Sequence, residues 1–239
     1  MRGSLIATLA IGSVLCMGAG AQGGQTVVYE ISFTNVSHGI VLTPPIFSLS
    51  RHKIDVFTLG EPASLGLQMV AEGGATDELR AELEAQGLQD VFQMMMPVPP
   101  GATVSVELEG TKMSRLNLAA MLLPTNDGFV AMNGARANSK FGTRVFRLHS
   151  YDAGSEDNDE ICENIPGPQC GGEGFNAADG EGFVVPHPGI HGESELSRQS
   201  YNWGDPVAIV TVRVVERHGD DDDDGDSGDS DDLSVASPR

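Results

Sequence analysis

Cationic side chains are scarce in this chain of 239 residues, where 14 Lys and Arg stand against 34 Asp and Glu and give a formal net charge of −20. Nucleic acids and anionic membrane surfaces attract proteins through a cationic face, so the charge balance argues against both kinds of partner. With 3 cysteines and 6 histidines, an architecture that holds several zinc ions is also excluded. Aromatic residues make up only 5%, which disfavours the long aromatic groove of a polysaccharide-degrading enzyme.

The N-terminal segment 1–21 has the pattern of a secretory signal peptide. Arg2 supplies a positive charge, Leu5 to Met17 is mostly apolar, and Ala19-Gly20-Ala21 offers small residues for cleavage. The apolar run is shorter than the roughly 20 residues that cross a bilayer. The sequence therefore predicts a secreted protein, extracellular or periplasmic, whose mature chain begins near Gln22 and has no membrane span.

The C-terminal segment 218–239 differs in composition from the rest of the chain. It contains nine aspartates and one arginine with almost no apolar side chain. Such a stretch cannot offset its ordering entropy, so we expect a disordered acidic tail. Its aspartates fit the opening of a calcium loop, but the closing glutamate and the flanking helices are missing, which leaves only loose cation binding.

Signal removal would eliminate Cys16 and leave two cysteines, Cys162 and Cys170. In an exported protein, a pair that lies within one short segment most simply forms a disulfide. We therefore predict one short disulfide-closed loop.

Residues 22–217 have the pattern of a single all-β domain. Thr26 to Phe33 ends in strict alternation of apolar and polar residues, and Thr103 to Leu108 alternates again. Ile40 to Leu49 is extended and carries Pro44-Pro45, which predicts an edge strand or a break between two strands. Pro206 to Val215 is rich in β-branched residues and is predicted to lie inside a sheet. Further apolar runs of strand length are Leu116–Leu123, Phe129–Met132 and Thr143–His149. Seven or eight short strands of this kind predict an antiparallel β-sandwich.

Helix signals are confined to Glu61–Glu72 and Asp77–Gln86, which are rich in Ala, Leu and Glu. Thr76 is predicted to be the N-cap of the second helix. We expect this short helical insertion to pack its apolar residues across an open edge or end of the sandwich.

Two loops concentrate hard oxygen ligands. The first is residues 124–128, PTNDG, and the second is residues 151–160, YDAGSEDNDE. Calcium suits such loops because it takes six to eight oxygen ligands with loose geometry. Gly154 would let the backbone fold so that Asp152 and Glu156 point at a common centre. From composition alone, a solvated acidic loop is an equally good interpretation.

The second loop resembles the "DAGTE-x-N" signature of the spondin domain, the N-terminal module of F-spondin and mindin that also occurs in short secreted bacterial proteins. Residues 151–158, YDAGSEDN, carry this resemblance, and residues 121–129, MLLPTNDGF, are similar to the family's "MLVPTNDAF" loop. Further matching motifs are YEISFTN at 29–35, LTPP at 42–45, FTLGEPAS at 57–64, AEGG at 71–74 and PVAIV at 206–210. These ordered motifs span roughly residues 26–216.

The resemblance implies a C2-like antiparallel β-sandwich that holds one Ca²⁺ between loops at one end. The family's metal carboxylates map onto Asp127, Asp152 and Glu156, the last of which is Asp in animal members. Asp157 and Asp159 are expected to face solvent. No thrombospondin repeats follow and the animal modules' fuller cysteine set is absent, so the matrix, integrin and axon-guidance roles of animal members are not carried over.

Catalytic arrangements are scarce in the sequence: there is no G-x-S-x-G elbow, phosphate-binding glycine loop or C-x-x-C pair. His187 and His191 are separated by Pro188 and Gly189, which excludes the helical histidine pair of a metalloprotease, and loop histidines are more often polar surface. Trp203 is expected to cap the core or a turn in preference to forming a platform for a sugar.

These observations predict a calcium-binding module that recognises an extracellular or envelope protein or glycan and is not an enzyme. The alternative is a secreted carboxylate-dependent glycan hydrolase, because paired carboxylates are abundant. A third interpretation is a structural protein of the surface or periplasm with no discrete ligand.

Overall fold

A computed structural model describes residues 26–138, 142–175 and 180–218 of the chain. The predicted signal peptide at 1–21 lies outside the described residues, as does the acidic tail at 218–239 apart from His218. Within the described ranges, no helix is long and apolar enough to cross a bilayer.

The described chain is built from β-strands and a few short helices. The strands, in chain order, are β1 (Thr26–Asn35), β2 (Val41–Leu42), β3 (Ile46–Ser50), β4 (Leu88–Gln93), β5 (Thr103–Thr111), β6 (Arg115–Leu123), β7 (Gly128–Arg136), β8 (Thr143–Leu148), β9 (Ser150–Asp152), β10 (Val185–Pro186) and β11 (Ala208–His218). The helices are α1 (Leu65–Gly73), α2 (Asp77–Ala85) and α3 (Arg198–Tyr201), and a 3₁₀ turn spans Cys162–Asn164.

The strands form two antiparallel sheets. One has the order β5-β1-β11-β8, and the other has the order β10-β9-β7-β6-β3-β4 with β2 paired to β6. The predicted all-β sandwich with a short helical insertion is therefore confirmed. The predicted break at the two prolines is also present, because β2 ends before them and β3 begins after them.

The first and last strands are neighbours in the four-stranded sheet. β1 pairs with β11 along its whole length, up to the pair of Asn35 and Ala208, and pairs with β5 on its other side. Along β1, Tyr29, Ile31 and Phe33 are fully buried, as the alternating pattern predicts. β11 lies between β1 and β8, which confirms that the β-branched segment is an inner strand.

The larger sheet is covered on both faces. In β6, Leu118 and Ala120 belong to the core between the sheets, whereas Ala119 belongs to a second core beneath the helices. Leu67 and Val70 of α1 are fully buried in that second core. The expectation that the helices cover an edge or end of the sandwich is therefore wrong. β6 is apolar at nearly every position, so both of its faces need cover.

The two helices are held together by one carboxylate. Ser64 caps α1, since its Oγ accepts a hydrogen bond from the backbone N–H of Leu67. Glu82 of α2 accepts from the Ser64 hydroxyl at 2.6 Å and from the Gly66 N–H at 2.7 Å. Thr76 occupies the predicted N-cap position of α2, but its side chain makes no capping hydrogen bond.

Cys162 and Cys170 form a disulfide, with their sulfur atoms 2.08 Å apart, as predicted. We expect alkylation of the mature protein, unfolded without reductant, to find no free thiol. Two labelled cysteines would contradict the pairing. Reduction should cost on the order of 2–3 kcal/mol at most, because the closed loop is short.

Candidate metal centre

Strand pairing brings the two acidic loops together. The first loop ends at Asp127, directly before β7, and the second begins at Asp152, the last residue of β9. β7 and β9 are antiparallel neighbours with Gly128 opposite Asp152. The backbone N–H of Ala153 also donates to the carbonyl oxygen of Asp127 at 3.2 Å. Two loops separated by more than a strand of sequence are therefore adjacent in the fold.

Asp127 is completely buried, and its two carboxylate oxygens have different surroundings. Oδ2 accepts hydrogen bonds from the Ser155 N–H at 2.8 Å, the Ser155 hydroxyl at 3.2 Å and the Glu156 N–H at 3.1 Å. Oδ1 is buried and finds no hydrogen-bond donor among the described residues. Burial, together with the negative charge of Asp152, raises the pKa of Asp127 to about 7, against the opposing effect of the three donors.

Asp152 is also completely buried, but both of its oxygens are occupied. Oδ1 accepts from the Gly154 N–H at 2.7 Å, and Oδ2 accepts from the Asn158 side-chain amide at 2.5 Å. Burial raises the pKa of Asp152, and these hydrogen bonds oppose the rise. The carboxyls of Asp127 and Asp152 interact directly, so a proton on Asp127 would be shared with Asp152. This interaction also opposes the rise in the pKa of Asp152.

Glu156 joins the same cluster. Its side chain is completely buried, and its backbone N–H holds Oδ2 of Asp127. The structure therefore places the carboxyls of Asp127 and Asp152 close to each other and Glu156 next to Asp127 through its backbone N–H. That the three side chains bind one metal ion stays a prediction.

Glu72 is a fourth buried carboxylate that sequence reasoning did not select. It lies near the C-terminal end of α1, is only 8% exposed, and shares a hydrogen bond with the side chain of Ser155. Burial raises its pKa, and the hydrogen bond to Ser155 opposes the rise. Ser155 thus contacts both Glu72 and Asp127. The only signal for Glu72 in the sequence is its place in the AEGG motif before two glycines.

Gly154 allows the tight path of the second loop. Its φ of +67° lies in the left-handed region, and a Cβ at this position would lie 2.3 Å from the carbonyl oxygen of Phe183. Its own carbonyl accepts from the Gly182 N–H at 2.7 Å. Glycine is therefore required at this turn, because no other residue fits both the dihedral angle and the space. That the turn points Asp152 and Glu156 at a common centre stays a prediction.

Asp157 is exposed as predicted, but the prediction that Asp159 faces solvent is wrong. Oδ1 of Asp159 accepts from the Asn126 side chain at 2.9 Å and from the Ile161 N–H at 2.9 Å, and Oδ2 accepts from the side chain of Asn164. Asp159 therefore links the first loop to the turn at the disulfide. Its physical role is to satisfy donors that the loops would otherwise leave unpaired.

Glu160 ties the second loop to a later segment of the chain. It has a φ of +55°, and its carboxylate accepts from the backbone N–H groups of His191, Gly192 and Glu193. Three consecutive amides around one carboxylate form a compact anion-binding turn. This contact fixes the connection between the acidic loop and β11.

His187 is not the polar surface residue that the sequence suggests. Its Nδ1 accepts from the Gly189 N–H at 3.0 Å, whereas Nε2 is buried and has no hydrogen-bond partner among the described residues. A Cβ on Gly128 would lie 3.0 Å from Nε2, so His187 packs directly beside the start of β7. Burial and the nearby His191 lower the pKa of His187 to about 4, against the opposite effect of Glu160.

The cluster has the donor chemistry of a site for a hard cation. Asp127 and Asp152 are fully buried carboxylates, take part in no ion pair within the described ranges, and leave one oxygen without a donor. The described residues nevertheless contain no group of three or more His, Cys, Asp or Glu side chains already spaced to hold a metal. Cation binding therefore requires these carboxylates to turn toward a common point.

Comparison of the chain with protein-family models and with curated proteins finds no match. The similarity to the spondin domain accordingly stands on the motifs alone.

Proposed function

We propose that this protein is an exported, calcium-stabilised β-sandwich of the spondin type that acts as a binding or adhesion module and not as a catalyst. The observation that carries the proposal is that strand pairing brings two fully buried carboxylates, Asp127 and Asp152, together from two loops, with the buried residue Glu156 next to Asp127. Asp127 and Asp152 take part in no ion pair within the described ranges, and burial of carboxylates without a compensating charge is costly. A bound calcium ion would supply that charge.

The chemistry of the loops supports calcium over other cations. All the candidate side-chain ligands are carboxylate oxygens, and calcium accepts such ligands together with backbone carbonyls and water in loose geometry. Oδ1 of Asp127 is buried and has no hydrogen-bond donor among the described residues, and a cation is a suitable partner for such an oxygen. The disulfide between Cys162 and Cys170 supports export to an oxidising compartment.

Burial also weighs against the hydrolase alternative. A glycosidase needs two carboxylates that reach the sugar bond from a groove. Asp127, Asp152 and Glu156 are 0% exposed, so no polysaccharide can reach them without rearrangement of the loops. A structural role for a cation between the loops fits this burial better than acid–base catalysis.

Thermal melts with calcium and with chelator test the proposal. Calcium that binds only the folded protein should add about 2.7 kcal/mol of stability at a hundredfold excess over its Kd. Asp152→Asn and Asp127→Asn should each lose most of that gain. Asp157→Asn, which neutralises an exposed carboxylate of the same loop, is the matched control and should keep it. Magnesium should give a smaller gain, because its octahedral shell is rigid.

Equal melting temperatures for the wild-type protein with calcium and with chelator would overturn the calcium site. A parallel screen on glycans and esters addresses the enzymatic alternative. Turnover that disappears in the Glu156→Gln variant would favour the hydrolase.

A further inference from the structure

A pocket of about 480 Å³ opens at β9, the strand that ends at Asp152 of the carboxylate cluster. Tyr151 lines this pocket, whereas the next residue, Asp152, belongs to the cluster. The remaining walls come from three further places in the chain, namely Leu59, residues 186–189 and residues 202–205, together with His149 and Ser150. The pocket thus combines aromatic and apolar side chains with polar ones, which is the usual composition of a small-ligand site.

The aromatic side chains of the pocket are held rigidly. The Nε1–H of Trp203 donates to the hydroxyl of Ser150 at 2.9 Å, and the His187 ring meets the indole edge-on at 4.9 Å. Tyr151 packs against Phe57 at 4.4 Å between ring centroids. Trp203 packs against buried core residues, as expected. It also lines the pocket. Fixed aromatic rings lose little entropy when a ligand binds.

The polar side chains of the pocket are much more exposed than the aromatic ones. His149 and Asp205 are 58% and 65% exposed, and Nδ1 of His149 lies 2.5 Å from Oδ1 of Asp205. Asn202 is also exposed at the pocket. The second oxygen of Asp205, Nε2 of His149 and the amide of Asn202 together offer hydrogen-bond acceptors and donors to a ligand.

The pair formed by His149 and Asp205 decides the class of ligand. A cationic ligand would have to compete with His149 for the Asp205 carboxylate, whereas a neutral polyhydroxylated ligand uses the groups that the pair leaves available. Anionic glycans are disfavoured by the net charge of −20. The pair is not part of a serine triad, since Ser150 is occupied by the indole of Trp203 and, within the described ranges, makes no hydrogen bond to His149.

We propose that this pocket binds a neutral saccharide. The apolar face of one sugar ring packs on Trp203, and its hydroxyls form hydrogen bonds with Asp205, His149 and Asn202. The proposal gives a ligand class to the binding module proposed above. It rests on a binding function for this protein, but it does not depend on calcium.

Intrinsic fluorescence tests the proposal directly, because Trp203 is the only tryptophan in the chain. The purified protein is titrated with cellohexaose, chitohexaose and mannohexaose, each with calcium and with chelator. We expect a saturable change in emission with at least one of them. Asn202→Ala and Asp205→Asn should each weaken that affinity about tenfold at an unchanged Tm, the loss expected for one hydrogen bond to a ligand hydroxyl.

The matched control is Glu30→Gln, which removes a half-buried carboxylate from another ion pair, the one with Arg213 on the four-stranded sheet. This variant should bind the saccharide like the wild-type protein. Binding that persists in chelator supports the saccharide site even if calcium gives no shift in melting temperature, so the two proposals fail separately.

Three results would overturn the proposal. The first is the absence of any emission change with all three saccharides at millimolar concentration. The second is a change in emission with a cationic probe, tetramethylammonium, or with an anionic one, a sulfated glycan, when the neutral sugars give none. The third is saccharide binding that the Asn202 and Asp205 variants leave unchanged.

Discussion

The Asp127→Asn variant is expected to be more stable than the wild-type protein in chelator at pH 8, by about 1–3 kcal/mol in the free energy of unfolding. In the wild type, an ionised and fully buried carboxylate faces Asp152, and its Oδ1 has no donor in the part of the chain that the structure describes. The amide keeps an oxygen for the donors from Ser155 and Glu156. Its NH₂ group replaces the oxygen that has no donor and faces the Asp152 carboxylate.

Calcium should reverse this order of stability. The wild-type protein gains stability from the cation, whereas the variant has lost one of its charged ligands and gains little. Asp152→Asn should behave differently in chelator. Its amide cannot accept hydrogen bonds from both the Gly154 N–H and the Asn158 side chain, so this variant should be less stable than wild type.

The pH dependence in chelator has a definite sign. The pKa of Asp127 is raised from 3.8 to about 7, so the folded protein binds more protons than the unfolded chain between these values. Its stability therefore falls as the pH rises through this window. Burial of Asp152 and Glu72 acts in the same direction. His187 acts in the opposite direction between pH 4 and 6.5, because its pKa is lowered from 6.5 to about 4.

Urea unfolding of wild type and Asp127→Asn from pH 5 to pH 8 separates these effects. The difference between the two proteins isolates the interacting pair of Asp127 and Asp152, since His187 is common to both. The advantage of the variant should grow as the pH rises toward 7 and should level off above the pKa of Asp127. A variant that is less stable than wild type at every pH in chelator would show that the buried Asp127 carboxylate does not destabilise the folded protein.

The Gly154→Ala variant should lose on the order of 3 kcal/mol of stability together with the calcium-dependent gain. The added methyl group would sit in a left-handed backbone position and within 2.3 Å of the Phe183 carbonyl oxygen. Relief of that clash must move the backbone that carries Asp152, Ser155 and Glu156. Thermal melts with calcium and with chelator measure both losses.

Gly182→Ala is the matched control. Gly182 has a φ of +80°, but a Cβ there meets nothing within 4 Å. Its substitution should therefore cost only the backbone strain, about 1 kcal/mol, and should keep the calcium response. Equal losses in the two variants would mean that the contact with Phe183 does not hold the loop.

The sheet was predictable where side chains face two different environments. In β1 the buried Tyr29, Ile31 and Phe33 alternate with more exposed residues, so the period is visible in the sequence. β9 and β10 have only three and two residues, and pairing with neighbours defines them more than any pattern does. The position of the helices was not predictable, because it depends on which face of the larger sheet lacks cover.

The resemblance to the spondin domain predicted Asp127, Asp152 and Glu156 as one set, because the composition of the two loops alone fits a solvated acidic surface equally well. The positions of Asp159 and His187 were not predictable, because a polar side chain faces solvent only where the backbone offers it no partner or space. Glu72 is distant in sequence and reaches the cluster through the packing of α1. Local patterns carry no signal for such a contact.

The pairing of β1 with β11 has a consequence for biosynthesis. β1 emerges from the ribosome first, but the strand that lies beside it in the finished sheet begins only at Ala208. A nascent chain that has not passed this residue contains β1, β5 and β8 without the strand that joins β1 to β8. The four-stranded sheet therefore forms only after its last strand has been translated, and a contact this distant in sequence makes that step slow.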